Sequence, residues 1–247
     1  MSSVHEHYEN VLSEHYSRML GDFEGKVSEQ RSLLERLGVE ASSTAGLAVD
    51  LGCGPGVQSI ALARLGYRVL AVDFSQRLLA ELKDRTRGLP VEAVLGDIRE
   101  VEALVPTGVQ VVVCMGDTLS HLAREDDLER LFACVATRLV AGGRFVLSFR
   151  DLGGELRGLD RVIPLSASDD AVMTCFLEYE TATVKVHDLI WVRERDGWVF
   201  RKGVYRKLRL TADTVAARLE STGFTLTRHQ ASGGMVALVA RSVDRPS

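Results

Sequence analysis

The sequence lacks long apolar segments, paired cysteines and an excess of basic residues. No stretch reaches the ~20 consecutive apolar residues that a membrane-spanning helix requires, and the first residues contain no apolar run. The cysteines are scattered without a C-x-x-C spacing, so we expect reduced core thiols and no metal site. They are Cys53, Cys114, Cys134 and Cys175. We therefore expect a cytoplasmic protein with no membrane partner.

The chain carries 34 acidic and 30 basic residues, which gives a formal net charge of −4. This balance provides no basic field for a polyanion. Neither an N-P-P-Y segment nor a P-C pair follows the fourth expected strand, as enzymes that modify flipped-out bases would require. We therefore expect a small-molecule acceptor as the partner and no nucleic acid. The sequence leaves the oligomeric state open.

A glycine-rich turn between two apolar strands is the most informative segment of the chain. The first strand ends at Asp50, and a helix begins directly after the turn, so its free N–H groups face the turn. The next strand ends at Asp73, about 20 residues further on, where a carboxylate reaches ribose hydroxyls in a βαβ nucleotide site. The pattern predicts a nucleoside pocket. The turn contains Gly52, Cys53, Gly54 and Gly56.

The glycine spacing distinguishes between cofactors. A dinucleotide fingerprint requires G-x-G-x-x-G, but Val57 occupies the position of its third glycine. The carboxylate of Asp50 would repel a diphosphate and attract an ammonium group. The order D-x-G-x-G-x-G from Asp50 to Gly56 resembles motif I of class I S-adenosylmethionine-dependent methyltransferases. The resemblance implies S-adenosyl-L-methionine as the cofactor.

Helix and strand patterns alternate along the first part of the chain. Strands that are apolar throughout are typical of a sheet covered on both faces. With the resemblance, this pattern predicts an α/β fold with a Rossmann-like, doubly wound, mostly parallel seven-stranded sheet. The expected strands of this part are Leu47–Leu51, Arg68–Val72, Val91–Leu95, Val109–Met115 and Arg144–Phe149.

Between Gly153 and Leu210 polar and apolar residues alternate, which indicates antiparallel strands. We expect strands at Thr174–Tyr179, Thr183–Val192 and Trp198–Leu210, packed over the ligand edge of the sheet as a lid. We expect a single methyltransferase domain, 1–247, with four parts. They are an N-terminal helical cap (1–45), a cofactor-binding core (46–152), an antiparallel β insertion (153–210), and the last helix with a terminal hairpin (211–247).

Three segments are most similar to glycine N-methyltransferase-like enzymes of small molecules. They are Gly56–Ile60, Val72–Ser75 and Cys114–Leu122. Those enzymes also carry a β insertion before the last helix. Asp117 stands where that family has asparagine, which argues against glycine itself as the acceptor.

The resemblance assigns the backbone from Gly52 to Gly56 to the methionine part of the cofactor, with Asp50 near its ammonium. Asp73 is assigned to the ribose diol, because a carboxylate accepts strong hydrogen bonds from both hydroxyls. We expect Asp73 at an exposed strand end, where its replacement by alanine leaves the fold intact. Tyr16 is expected to face the sulfonium by cation–π attraction, and the alternative is a helical face packed on the sheet.

The resemblance also assigns Asp97 and Ile98 to the adenine, with Phe74 against the ring, and Met115 and His121 to the floor of the site. Alternatives remain open for three of these residues. Asp97 can cap a helix, and Phe74 can belong to the core. His121 can be a general base, a donor that orients a ligand, or an ordinary histidine at a helix start.

Asp117, His121 and Arg150 are the expected catalytic residues. Arg150 leaves the fifth strand at the ligand edge, and its guanidinium suits a carboxylate or phosphate of the acceptor. An arginine after this strand has that role in the glycine N-methyltransferase family. Asp117 would orient the acceptor's amine or hydroxyl. The alternative for Arg150 is a salt bridge to Asp151 or Glu155.

These observations predict an enzyme that transfers a methyl group from S-adenosylmethionine to a nitrogen or oxygen of a small polar metabolite, with or without a carboxylate. In-line displacement at a sulfonium depends mainly on positioning, so a strong base is not required. The alternatives are a non-catalytic regulator that binds the same cofactor and a nicotinamide-dependent oxidoreductase.

Overall fold

The computed structural model describes residues 20–232 and 235–242. Its helices are α1 (Phe23–Arg36), α2 (Val57–Arg64), α3 (Gln76–Arg85), α4 (Val101–Leu104), α5 (Glu125–Arg138) and α6 (Ala212–Ser221). Its strands are β1 (Leu47–Leu51), β2 (Arg68–Asp73), β3 (Val91–Leu95), β4 (Val109–Cys114), β5 (Leu139–Arg150), β6 (Val162–Ala167), β7 (Ala171–Tyr179), β8 (Thr183–Glu194), β9 (Gly197–Leu208), β10 (Phe224–Ser232) and β11 (Met235–Ser242).

The larger sheet has seven strands in the order β10-β11-β5-β4-β1-β2-β3. Strands β1 to β5 pair in parallel, and β11 pairs antiparallel with both β5 and β10. The strand order reverses direction beside β1, and in such sheets ligands bind beyond the carboxyl ends of the strands at that point. The Rossmann-like, mostly parallel seven-stranded sheet predicted from the sequence is confirmed.

Both faces of this sheet are buried, as the apolar strand sequences predict. Along β4, Val112 and Cys114 join the apolar cluster on one face, whereas Val111 and Val113 join the cluster on the other. This alternation places helices on both sides of the sheet. The carboxyl-terminal edge of the sheet is left to form a site.

Several strand ends differ from the sequence prediction by up to about three residues, and two strands differ by more. Strand β5 begins at Leu139 and not at Arg144, because Leu139 pairs with Val109 of β4 before a register shift that precedes the pairing of Arg144 with Val111. Strand β6 was not predicted at all. It contains Pro164 and pairs only with β7 at the edge of its sheet, where a residue without an N–H group is tolerated.

The insertion forms a separate four-stranded antiparallel sheet in the order β6-β7-β8-β9. Its base is joined to the core by the backbone hydrogen bond from Leu152 N–H to the Leu210 carbonyl, at 2.9 Å. One face of the insertion buries its own apolar cluster, which includes Leu177, Val186 and Tyr205. The expected antiparallel insertion before the last helix is therefore present.

One described helix, α1, precedes the sheet and packs on α2. Asp22 caps it by accepting a hydrogen bond from Gly25 N–H at 3.0 Å. All four cysteines are free, and three of them are buried. Among the described helices, none has the length and apolar character needed to cross a membrane. The division of the chain into a single four-part domain stays a prediction.

Candidate functional site

The glycine-rich turn is held by hydrogen bonds to the end of β2. The N–H groups of Gly52 and Cys53 donate to the Val72 carbonyl at 2.8 and 3.0 Å, and Gly54 N–H donates to Asp73 Oδ2 at 2.8 Å. The Val72 carbonyl and the Asp73 carboxylate thus hold the turn against the end of the second strand, as the predicted βαβ nucleotide site requires.

Two of the glycines in the turn are required by packing as well as by conformation. Gly52 and Gly56 have φ angles of +72° and +101°. A Cβ atom on Gly52 would lie 2.2 Å from Thr118 Cγ2, and one on Gly56 would lie 2.1 Å from Leu82 Cδ1. The close contact between Gly52 and Thr118 joins the turn to the segment that follows β4.

Asp73 is buried, which corrects the expectation that it lies at an exposed strand end. Its side chain accepts hydrogen bonds through both oxygens, Oδ2 from Gly54 N–H and Oδ1 from Ser75 N–H, each at 2.8 Å. A carboxylate has about four acceptor positions, so ribose hydroxyls can still bind it. Replacement by alanine removes two bonds that hold the turn, and the fold is not expected to stay intact.

Asp50 lies beneath the turn and is 1% exposed. Its Oδ2 accepts a hydrogen bond from Ser59 Oγ on α2 at 2.6 Å. The pKa of Asp50 is raised to about 7, because burial and the nearby Asp73 charge together outweigh the Ser59 hydrogen bond, which lowers it. A direct contact with the methionine ammonium stays a prediction. In the structure this carboxylate anchors α2 beneath the turn.

The residues assigned to the adenine lie at the ends of β2 and β3. Asp97 accepts a hydrogen bond from Arg99 N–H at 2.8 Å and pairs with the Arg99 guanidinium, so the helix-cap alternative is present. Phe74 and Ile98 are half-buried, and Ile98 packs against the core. Their contacts with an adenine ring stay predictions. Tyr16 lies outside the described residues.

Met115 and the residues after it form the far side of the site. Met115 is buried beneath the turn's neighbour Thr118, whose hydroxyl donates to the Met115 carbonyl at 2.9 Å. Gly116 has a φ angle of +72°, and a Cβ atom placed on it would have no other atom within 4 Å. The space beside Gly116 is therefore open, and a bound ligand can approach the backbone there.

The Asp117 carboxylate has three hydrogen-bonding or ion-pair partners, two of them from distant parts of the chain. Its Oδ1 accepts hydrogen bonds from Ser120 Oγ at 3.1 Å and from Arg150 N–H at 3.0 Å, and its Oδ2 forms an ion pair with Lys207 of β9. Burial alone would raise the pKa of Asp117. The Lys207 charge and hydrogen bond outweigh burial, with help from Arg150 and His121, and hold that pKa below its usual range.

A cavity of about 180 Å³ lies between this edge of the sheet and the insertion. The His121 ring stacks on Tyr205 from β9, with ring centroids 5.4 Å apart and an interplanar angle of 29°. Aliphatic side chains of the insertion line the rest of the cavity, which is typical of a small-molecule pocket with a few polar groups. Its polar lining consists of Asp117, His121, Arg150, Asp188, Tyr205 and Lys207.

The structure brings the three expected catalytic residues, Asp117, His121 and Arg150, to this cavity. The alternative salt bridges of Arg150 are not formed among residues 20–232 and 235–242. Glu155 pairs with Arg209 at 2.8 Å, and Asp151 accepts hydrogen bonds from backbone N–H groups. Arg150 lines the cavity instead, although its role in binding an acceptor stays a prediction.

Three polar lining residues were missed by sequence reasoning, namely Asp188, Tyr205 and Lys207. All three come from the insertion and lie far from the glycine-rich turn in sequence. A signal was present for Asp188, because the inward positions around it in β8 are otherwise aliphatic. No pattern in the sequence pointed to the pairing of Lys207 with Asp117, since only the folded insertion brings them together.

The residues at the carboxyl edge fit S-adenosylmethionine. A glycine turn opens onto a helix start, Asp73 offers further acceptor positions, and the open space at Gly116 leads toward the cavity. In the part of the chain that the structure describes, no cluster of three or more His, Cys, Asp or Glu side chains could hold a metal ion.

Comparison with known proteins finds a methyltransferase domain in this chain. Residues 48–143 match the family model of a methyltransferase domain. The chain is 36% identical over 135 residues to a cypemycin N-terminal methyltransferase from Streptomyces sp, covering 49% of this chain and 54% of that protein. It is 28% identical over 145 residues to glycine N-methyltransferase from Mus musculus, covering 53% and 49% of the two chains. The chain thus spans about half the length of these curated relatives.

Solved structures resemble the whole fold. An amino pentose methyltransferase from Micromonospora echinaspora, with S-adenosylmethionine bound, has a TM-score of 0.75 at 18% identity and covers 93% of this chain and 96% of its own. An S-adenosylmethionine-dependent methyltransferase from Clostridium acetobutylicum has a TM-score of 0.74 at 16% identity and covers 97% of each chain. Residues 48–143 therefore match a methyltransferase domain, and the fold is that of solved S-adenosylmethionine-dependent methyltransferases.

Proposed function

We propose that this chain transfers the methyl group of S-adenosylmethionine to a nitrogen or oxygen of a small polar molecule. The acceptor is held in the cavity between the sheet edge and the insertion. Both nitrogen and oxygen are proposed as the methylated atom, because the relatives include an N-terminal methyltransferase and ubiquinone biosynthesis O-methyltransferases.

The observation that carries the proposal is the contact between the cofactor turn and the acceptor cavity. Thr118 packs on Gly52 of the turn, and its chain neighbour Asp117 lines the cavity. A ligand seated on the turn and a second one in the cavity are therefore adjacent. Adjacency of two bound reactants is the main requirement for in-line methyl transfer.

The cofactor, when bound, supplies an electrophilic methyl group on a sulfonium. The residues of this chain position the cofactor and the acceptor and provide an environment with little water. The side chains of the Asp117–Lys207 ion pair are each 14% exposed, so the pair presents a fixed, largely desolvated polar surface to the cavity. Arg150 offers a planar fork of donors for a carboxylate or phosphate of the acceptor.

Calorimetry with S-adenosylhomocysteine tests cofactor binding. We expect saturable binding by the wild type and no stabilisation by NAD(H) in a thermal melt. Failure of S-adenosylhomocysteine to bind would contradict the proposal. Turnover of labelled cofactor with a metabolite pool then separates an enzyme from a regulator that only binds the cofactor.

The role of Arg150 is tested with Arg150→Lys once an acceptor is identified. Lysine keeps the charge but loses the planar fork, so we expect kcat/KM for the acceptor to fall by more than tenfold, about 1.4 kcal/mol or more. Affinity for S-adenosylhomocysteine should change little. A matched control is Arg157→Lys, at an exposed position outside the cavity. An equal loss for cofactor and acceptor would contradict the anchor role.

A further inference from the structure

The insertion is apolar on both of its faces. Along β7 and β8 every second side chain is buried on the side of the cavity, and the side chains between them form an outer face that is half-buried or exposed. An antiparallel sheet commonly carries polar residues on its second face. The central polar positions of this outer face are only Thr174, His187 and Lys202. Its central apolar positions are Val172, Phe176, Leu189, Trp191, Phe200 and Val204.

A row of three apolar side chains crosses the middle of the outer face. Trp191 on β8 lies opposite Val172 on β7 and opposite Phe200 on β9. The Trp191 and Phe200 rings are in contact, with centroids 4.6 Å apart. Trp191, Val172 and Phe200 are 45%, 37% and 42% exposed. Single exposed apolar residues are ordinary, but a contiguous apolar patch with a polar rim indicates an interaction surface.

The two strands beside β8 carry opposite charges on the outer face. Glu178 lies near the end of β7 and Glu180 follows that strand, whereas β9 carries Lys202 and Arg206. Lys185 of β8 lies between them and pairs with both glutamates, at 2.9 and 3.3 Å. Half a turn about an axis along β8 exchanges the places of β7 and β9. Such a rotation sets the acidic strand of one copy against the basic strand of another.

We propose that the outer face binds the outer face of a second copy of this chain around a two-fold axis along β8. In such an interface each contact occurs twice, with the two partners exchanged. The axis brings Trp191 of both copies together and sets Val172 of one copy against Phe200 of the other. Glu178 then faces Arg206 of the second copy. The apolar centre is removed from water, and opposite charges meet at the rim.

The size and charge of the outer face suit a second copy. Four strands about 4.8 Å apart and about nine residues long cover roughly 500 Å² of flat area, and the relief of the side chains adds to it. A stable interface buries about 800 Å² on each partner, which is the same order. Flat sheet faces pack on one another at a spacing of about 10 Å. The glutamates of this face would repel an anionic membrane or a nucleic acid.

The oligomeric state of the full chain tests the proposal. Light scattering after size exclusion should give twice the 27.1 kDa mass of one chain. Trp198 lies beside the outer face and Trp191 lies at its centre, so tryptophan emission should move to longer wavelength as dilution dissociates the dimer. A monomer at every concentration would overturn the proposal, whether or not it binds vesicles of phosphatidylglycerol. Unchanged emission while the mass halves would overturn it as well.

The variant Trp191→Asp sets two carboxylates together on the axis. We expect the dissociation constant of the dimer to rise by more than about 30-fold, as at the central residues of other interfaces. Leu95→Asp is the matched control, because Leu95 is 57% exposed at the end of β3 in the other sheet. The control should remain a dimer. A dimer of undiminished affinity in Trp191→Asp would overturn the proposal.

Charge reversal tests the direction of the axis. Glu178→Arg alone sets arginines against each other at both rims, and Arg206→Glu alone sets glutamates against each other, so each variant should dimerise weakly. An equimolar mixture should form a heterodimer, because every one of these contacts then joins opposite charges. A loss of local structure within each copy would not be repaired by mixing. Failure of the mixture to associate, with both variants retaining the circular dichroism of the wild type, would overturn the two-fold arrangement.

Discussion

At the scale of single residues, Asp73 connects the cofactor turn to the end of β2. Each of its oxygens accepts one backbone N–H, from Gly54 and from Ser75. In Asp73→Asn one of these N–H groups must face an amide NH2, so we expect the free energy of unfolding to fall by about 1–3 kcal/mol. Urea unfolding without cofactor measures this. Asp84→Asn, at a position with a 74% exposed side chain, should change nothing, and an unchanged midpoint for Asp73→Asn would contradict the structural role.

Asp50 makes the stability of the protein depend on pH. Its pKa is raised to about 7 in the folded state, so the folded protein binds more protons than the unfolded chain between about pH 4 and pH 7. The stability that this group contributes is present below the unfolded pKa and is lost as pH rises through the folded pKa.

The variant Asp50→Asn keeps an oxygen for the Ser59 hydroxyl but cannot ionise. We expect the variant to gain stability relative to the wild type as pH rises from about 4 to 7, by an order of a few kcal/mol, and no further gain above pH 8. Urea midpoints at pH 5 and pH 8 measure the difference. Parallel pH profiles for the two proteins would show that Asp50 is not the titrating group.

At the scale of secondary-structure elements, Lys207 of β9 joins the insertion to the segment after β4 through Asp117. Both side chains are only 14% exposed, so Lys207→Met leaves a buried carboxylate without its cation. We expect a loss of about 3–5 kcal/mol in the free energy of unfolding at neutral pH. The double variant with Asp117→Asn should recover much of the loss, because no charge then remains unpaired. Equal stability of the single and double variants would contradict this pairing.

Strand and helix patterns predicted most elements because their periods are local properties of the chain. The apolar run of β4 and the alternation of β8 each determine a strand without reference to the rest of the fold. Strand β6 was missed because Pro164 interrupts the pattern, and its pairing with β7 decides its conformation. The predicted start of β5 was also wrong, because pairing with β4, a distant strand in sequence, extends β5 back to Leu139.

At the scale of the whole molecule, the insertion and the core share contacts that should make them unfold together. Arg209, near the end of the insertion, donates to the Leu152 carbonyl of the core at 3.3 Å. It also binds the Gly153 and Glu180 carbonyls and pairs with Glu155, within the insertion. The apolar cluster of the core also continues into Leu208 and Leu210 at the end of the insertion. These contacts predict one cooperative transition.

Fluorescence can test this cooperativity because both tryptophans, Trp191 and Trp198, lie in the insertion. We expect the urea transitions from fluorescence and from far-ultraviolet circular dichroism to coincide in the wild type. In Arg209→Ala the fluorescence transition should move to lower urea than the dichroism transition. Arg201→Ala, at the exposed hairpin, should keep the two coincident. Separate transitions in the wild type would show that the insertion unfolds independently.

The sequence by itself indicated the fold class and a nucleoside pocket, because the glycine turn from Gly52 to Gly56 and the spacing to Asp73 are short-range features with direct steric and electrostatic meaning. Its resemblance to motif I of class I methyltransferases indicated the cofactor. It also indicated Asp117 and Arg150 as residues of one edge, since parallel strands end together. Only the tertiary structure decided their partners. The insertion places Asp188 and Lys207 beside this edge, although both are far from it in sequence. Pairing between distant strands leaves no local signal in the sequence.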